Sequence, residues 1–414
     1  MQEHQVSRAR VMALVGVLGA AYMLSQFLRS SNAVIAPNLM AELGLGPEAI
    51  GLLGGAFFLA FALAQIPVGL MIDGWGPRLT IFALFGFAIA GSVLFFAGHD
   101  VRVLIVARGL MGLGCAPILM GSFIVYARWF APERFATMAG LVMAVGYSGA
   151  ILSTGPLGWT AQAVGWRIIF AGVAVLSAIV AAGVLIIVRD APPGHPFHSR
   201  HREAPSQALR GLGAVLHNPS FGRILPLQSV GSGAVASILG LWGGPFLSDV
   251  FGLDTAERGS ILLIMAIASV AGLVAYGPLD RLFNTRKRLV IAGALANLTI
   301  LTVLALDSAP VLWRTTALLA ALGFFNGYVV IIYAHARAIF PDRLVGRGLT
   351  LGNMGNMGGT ALIQALTGLV MGLFTHAASP LIGYRAVFGL LALILCSALF
   401  VYLGVKDEKP RGNI

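Results

Sequence analysis

What most restricts this chain is a series of long apolar runs. Residues 52–71, 79–97, 103–125, 168–188, 289–306 and 386–405 each reach the roughly 20 residues that a membrane-spanning helix needs. They lack strand alternation and are too long for barrel strands. Lipid offers the backbone no hydrogen-bond partner, so such runs close their bonds internally, as helices. Only 10% of the residues are charged, against about 25% in a soluble domain. Including the more polar runs, the pattern predicts twelve spans, over about 11–37, 47–72, 79–98, 103–127, 136–161, 167–188, 221–248, 259–279, 289–306, 311–335, 345–373 and 384–405. The first is too long and too polar at its far end for a cleaved signal peptide and is expected to be retained.

The net charge of +11 suggests nucleic acid until the charges are placed. With an even number of spans both termini share one side. Twenty of the 27 lysines and arginines then fall on that side and five on the other, with Arg29 and Arg108 inside spans. This is the asymmetry that sets orientation in a membrane, with the basic side cytoplasmic. The expectation is an inner-membrane protein with both termini inside, acting as a monomer, with lipid and a small molecule as partners and no nucleic acid. Cys115 and Cys396 both fall within spans and read as small packing residues. No disulfide, metal site or cofactor is expected, and His99, His335 and His376 have no nucleophile or ligand set beside them, so no enzyme is expected.

The longest polar stretch follows six spans and precedes six more. It divides the chain into a first bundle over 1–188, a linker over 189–219 and a second bundle over 220–414. The histidines of that stretch, His195, His198 and His201, read as part of a basic loop rather than a metal tract. The halves repeat. Residues 127–134 and 336–343 share Ala, Arg, Pro and a final Arg, with Glu133 opposite Asp342, and Asp73 after the second span matches Asp280 after the eighth. Both shifts are near half the chain length, as a duplicated six-helix unit requires.

The loop after the second span carries Gly69, Asp73, Gly76 and Arg78. A degenerate copy holds Gly277, Asp280 and Arg286, and the fourth span carries Arg108, Gly112 and Gly114. These motifs resemble those of the major facilitator superfamily, and the resemblance covers the whole chain. It implies an all-α polytopic membrane protein with twelve transmembrane helices in two pseudo-symmetric six-helix bundles, working by alternating access. It also implies that Asp73, Arg78, Arg128, Asp280, Arg286 and Arg337 form a conformational latch on the cytoplasmic side; anchoring of topology alone is the other reading. The fifth-span motif of the family's antiporters is poorly matched, since Trp159 stands where a second glycine is expected.

Every acidic residue can be placed at a helix end or in a loop. The two deepest charges are Arg29 and Arg108. An ionisable side chain at that depth costs at least about 2.5–3.5 kcal/mol on insertion scales, so function is the default reading. Tyr22, Gln26 and Arg29 share one helical face. Arg29 is expected about eight residues from an outer end near Pro37, and Arg108 at comparable depth. Two guanidiniums facing one cavity would hold a carboxylate or phosphate. Bracing of helices is the alternative for either.

The stretch Arg29 to Pro37 is similar to the first helix of organic anion and organophosphate carriers. The seventh span has no arginine after Arg223, so a two-arginine phosphate clamp across the halves is not expected. Gln228, Asn326 and Asn353 are candidates for the polar remainder of a substrate, with Tyr333 on the face of Asn326. The leading expectation is a symporter or antiporter of a small organic anion, a carboxylate, with Arg29 as principal ligand. Two rivals fit the same motifs: a multidrug or metabolite exporter, and a non-transporting sensor or scaffold.

Overall fold

The computed structural model describes residues 8–130, 132–192, 213, 215–340, 342–374 and 379–409, and among them there is no strand. The first six spans are α1 (Arg8–Ser30) with α2 (Asn32–Leu43); α3 (Pro47–Trp75); α4 (Pro77–Ala97); α5 (Val101–Cys115) with α6 (Ile118–Trp129); α7 (Pro132–Leu152) with α8 (Gly155–Val164); and α9 (Trp166–Ile187). The second six are α10 (Pro219–Ser237), a π-helical turn (Ile238–Trp242) and α11 (Gly243–Phe251); α12 (Thr255–Tyr276) with the short α13 (Leu279–Leu282); α14 (Lys287–Leu306); α15 (Leu312–Phe325) with α16 (Tyr328–Ala338); α17 (Asp342–Leu373); and α18 (Pro380–Tyr402). Among the described residues ten of these are long and apolar enough to cross a bilayer, and α7 with α8, bent by 42°, makes an eleventh. The twelfth, α17, is 32 residues long but more polar, because Asn353, Asn356, Thr360 and Gln364 lie along it.

The predicted spans match these elements closely. The breaks inside them are findings of the structure. Pro117 has no N–H to give, and the helix parts at Ala116–Pro117. Gly155 and Pro156 follow the break at Ser153–Thr154, and Gly327 lies in the one between α15 and α16. The first span does not end near Pro37. It runs on to Leu43, with Pro37 inside α2, so Arg29 lies about 20 Å of helix from the outer end. Most of the linker expected over 189–219, and His195, His198, His201 and His376, fall outside the described residues.

Each bundle is fastened at the basic face by a carboxylate that follows its last span. Asp190 accepts from the amide of Arg78 at 2.7 Å, at the start of α4. Arg78 returns its guanidinium to the carbonyl of Leu185, near the end of α9, at 3.0 Å from Nε. Asp407 accepts from the amides of Arg286 and Lys287, both at 3.0 Å, at the start of α14, and from the Thr285 hydroxyl at 2.5 Å. Lys287 donates to the carbonyl of Leu403, just past α18, at 2.7 Å. Unpaired amides at a helix start favour negative charge. Partial burial alone would raise the Asp407 carboxyl. The amides and hydroxyl outweigh it and hold the group below the usual range.

The halves meet most closely at the face opposite the basic one. Arg258 of α12, 4% exposed, donates across the interface to the carbonyl of Val34 at 3.1 Å and to Asn38. It also donates to Thr255 of its own helix at 3.0 Å. Trp159 donates to Ser260 at 3.2 Å, and Gln162 to Asp254 at 3.3 Å. Gly244 of α11 lies on the Ala33 carbonyl so closely that any Cβ would overlap it. Between α3 and α17, Gly51 meets Gly368 and Gly54 meets Gln364. That face is sealed.

Candidate functional site: a central cavity between the halves

Below the seal the halves separate around a cavity of about 520 Å³, within the range of small-molecule sites. Its first wall comes from α1, α3, α6 and α7, its second from α10, the π-helical turn, α12, α16 and α17. Arg337 and Leu349, near the basic ends of α16 and α17, line its mouth, so it opens toward the basic face.

Tyr22, Gln26 and Arg29 all face this space, as their shared helical stripe predicts. The Arg29 guanidinium lies 5.1 Å from the centre of the Phe61 ring, and its buried Nε has no hydrogen-bond partner. The buried Gln26 carbonyl oxygen beside it is likewise without a hydrogen-bond partner. Asn326 and Asn353 line the opposite wall, and the Asn326 carbonyl oxygen is unpartnered. Asn356 donates to the Tyr333 hydroxyl at 2.9 Å. Tyr147 and Tyr333 both lie within electrostatic reach of Arg29. The sequence offers Tyr333 beside Asn326 for the polar remainder of a substrate, but Tyr147 is not among the binding candidates. Tyr333 shares a helical face with Asn326, and Tyr147 stands as a polar aromatic between Gly146 and Gly149, which are the sequence signals for them.

Two expected ligands lie elsewhere. Arg108 does not line the cavity. It is fully buried, donates to the Leu28 carbonyl at 2.6 Å and the Leu53 carbonyl at 3.4 Å, and lies 4.9 Å from the centre of Phe57. Leu28 is three residues before the break between α1 and α2, and the guanidinium bridges that region to α3. Gln228 is also buried outside the lining, beside Gly352 and Tyr333.

The expected latch residues sit at the basic face. Arg78 is tied to Asp190 and Leu185, and Arg128 donates to the Asp190 carbonyl at 3.3 Å. Arg286 pairs with Asp280 at 3.3 Å. These contacts are all within one half, in a state open at that face. Asp73 is exposed in the last turn of α3, and Arg337 is exposed in the last turn of α16.

Among the described residues no group of three or more His, Cys, Asp or Glu is placed to hold a metal ion. The charged side chains among the described lining residues are Arg29 and Arg337; no Asp, Glu or Lys is with them.

Relatives agree with this architecture. The chain is 23% identical over 406 residues to the probable galactarate/D-glucarate transporter of Bacillus subtilis (strain 168), covering 89% of this chain and 87% of the relative. It is 24% identical over 415 residues to the D-galactonate transporter of Escherichia coli O6:H1, covering 93% of both. Among solved structures, a bacterial homologue of the human lysosomal transporter Spinster superposes with a TM-score of 0.73 at 18% identity, over 96% of this chain and 97% of that one. A D-xylose–proton symporter superposes with a TM-score of 0.73 at 15% identity, over 96% and 98%. The family model of the Major Facilitator Superfamily matches residues 18–330 and 245–414. With twelve helices in two bundles about a central cavity, the chain is a multi-pass membrane transporter and belongs to the Major Facilitator Superfamily.

Proposed function

We propose that this protein carries a small organic anion by alternating access, with a carboxylate held at Arg29. The supporting observation is the sign of the cavity: its charged lining side chains, Arg29 and Arg337, are both cationic. A guanidinium offers a carboxylate two parallel hydrogen bonds, and the attraction is about 4 kcal/mol at 4 Å for an effective dielectric constant of 20. The relatives named for galactarate, D-glucarate and D-galactonate all handle organic acids. Tyr22, Gln26, Asn326 and Asn353 complete the proposed site, while Arg108 and Gln228 support helix packing. Lipophilic cations are disfavoured by the same charges, which argues against the multidrug reading.

In this reading the bundles over 1–188 and 220–414 rock about the cavity, and the basic face, where the cavity opens, is cytoplasmic. Release of the contacts of Arg258 would open the opposite face, and Asp73, Arg78, Arg128, Asp280, Arg286 and Arg337 would then approach one another as a latch. With no acid in the described lining, any coupled proton would ride on the substrate. The test is a thermal-shift screen of acids and cations on purified protein, followed by flux in proteoliposomes. Carboxylates should stabilise wild type and fail to stabilise Arg29→Ala. Stabilisation by acids that survives Arg29→Ala would refute the assignment.

A further inference from the structure

Most of the side chains that line the cavity are apolar. Tyr22, Gln26, Tyr147 and Tyr333 gather about Arg29. The rest of the lining includes Phe58, Met120, Phe123 and Met143 from the first half and Leu239, Val270 and Met357 from the second. Two of the lining hydroxyl protons are already committed. Thr360 donates to the Asn356 carbonyl at 2.9 Å and Ser269 to the Met265 carbonyl at 2.8 Å, each within its own helix. Ser232, Asn326, Asn353 and the unpartnered side-chain carbonyl oxygen of Asn356 remain as polar groups on the second half's side, enough for a few substituents.

An acid with a hydroxyl on every carbon would lose water from several hydroxyls against carbon and sulfur and regain few partners. An unpartnered hydroxyl is disfavoured in such a wall, whereas each added methylene gains about 10–200-fold in an apolar pocket. Methionine side chains adapt to flat rings and to branched chains. We propose that the ligand is an amphipathic carboxylate, its head at Arg29 and an aryl or branched-alkyl body against the Phe–Met wall. This rests on the reading of the cavity as an organic-anion site. It separates this chain from relatives named for polyhydroxylated acids.

The test uses the full-length protein in nanodiscs. Binding of benzoate and 3-phenylpropionate is compared with D-galactonate and tartrate, with benzamide as the uncharged control and tetraphenylphosphonium as the lipophilic cation. The aryl acids should bind at least tenfold more tightly than the hydroxylated acids and than benzamide. Arg29→Gln should weaken the aryl-acid binding by about 10–100-fold, and the near-isosteric Val270→Thr should narrow the preference severalfold while leaving the fold intact. Tighter binding of galactonate or tartrate, still dependent on Arg29, would overturn this proposal and leave the organic-anion reading standing. Binding of tetraphenylphosphonium but no acid, or of no probe by protein that melts cooperatively, would overturn both.

Discussion

Two arginines lie inside the spans, and depth alone cannot separate them. What separates them is direction. Arg29 leaves its guanidinium in the cavity, whereas Arg108, outside the lining, gives hydrogen bonds to carbonyls of α1 and α3. The sequence shows the charge and the shared face of Tyr22, Gln26 and Arg29. The orientation of Arg108 depends on which neighbours α5 meets, and no single-chain periodicity carries that information. Arg29→Ala should lower benzoate affinity by about 10–100-fold, less than the unscreened ion pair implies because water enters the open cavity. Arg29→Lys should recover part of it, keeping the charge but losing the paired geometry. Titration calorimetry on the three proteins reads this directly. Arg108→Leu should behave otherwise. It leaves the Leu28 carbonyl without its strongest side-chain donor, and a buried unsatisfied group costs about 1–3 kcal/mol. A lowered melting midpoint with unchanged affinity is expected.

At the scale of elements, spans were legible because lipid imposes one rule on every residue they contain. The breaks at Ser31, Ala116 and Thr154 were not, since the amides there still bond locally, to the carbonyls of Phe27, Leu113 and Ile151, and the helices bend without a long non-helical segment. The same holds for Asp190 and Asp407: they read as loop charges, and only the fold brings them to the starts of α4 and α14. Asp407 gives a prediction with a definite sign. Its folded pKa is depressed, so its stabilisation is present above the unfolded value of about 3.9 and is lost as pH falls through the folded value. Asp407→Asn should lower stability by about 1 kcal/mol at pH 7, and the difference should shrink toward pH 3, as melting curves at the two pH values will show. The seal gives another. In Gly244→Val the new side chain meets the Ala33 carbonyl and cannot fit the closed face. The equilibrium should move toward the state open on that side. Spin labels replacing the exposed Trp75 and Leu282, at the basic ends of the two halves, should report a shorter separation in the variant. An unchanged distance distribution would show that the contact does not govern the state.

For the whole molecule, duplication was visible in Asp73 and Asp280 and in the paired segments near 130 and 340. The cavity itself was half visible. Its proposed first-half ligands lie on one helix, while Tyr147 and the apolar lining come from spans that meet only once both bundles are packed. Charge placement predicts orientation: an epitope fused after residue 414 should be reached by antibody in inverted vesicles and not in intact spheroplasts.

The paired carboxylate clips also bear on how force travels. Because each stitches the last span of a bundle to its third, those two spans move together when the bundle turns. If cargo is held at Arg29 as proposed, slackening either stitch should blunt the response to cargo while leaving the grasp itself intact.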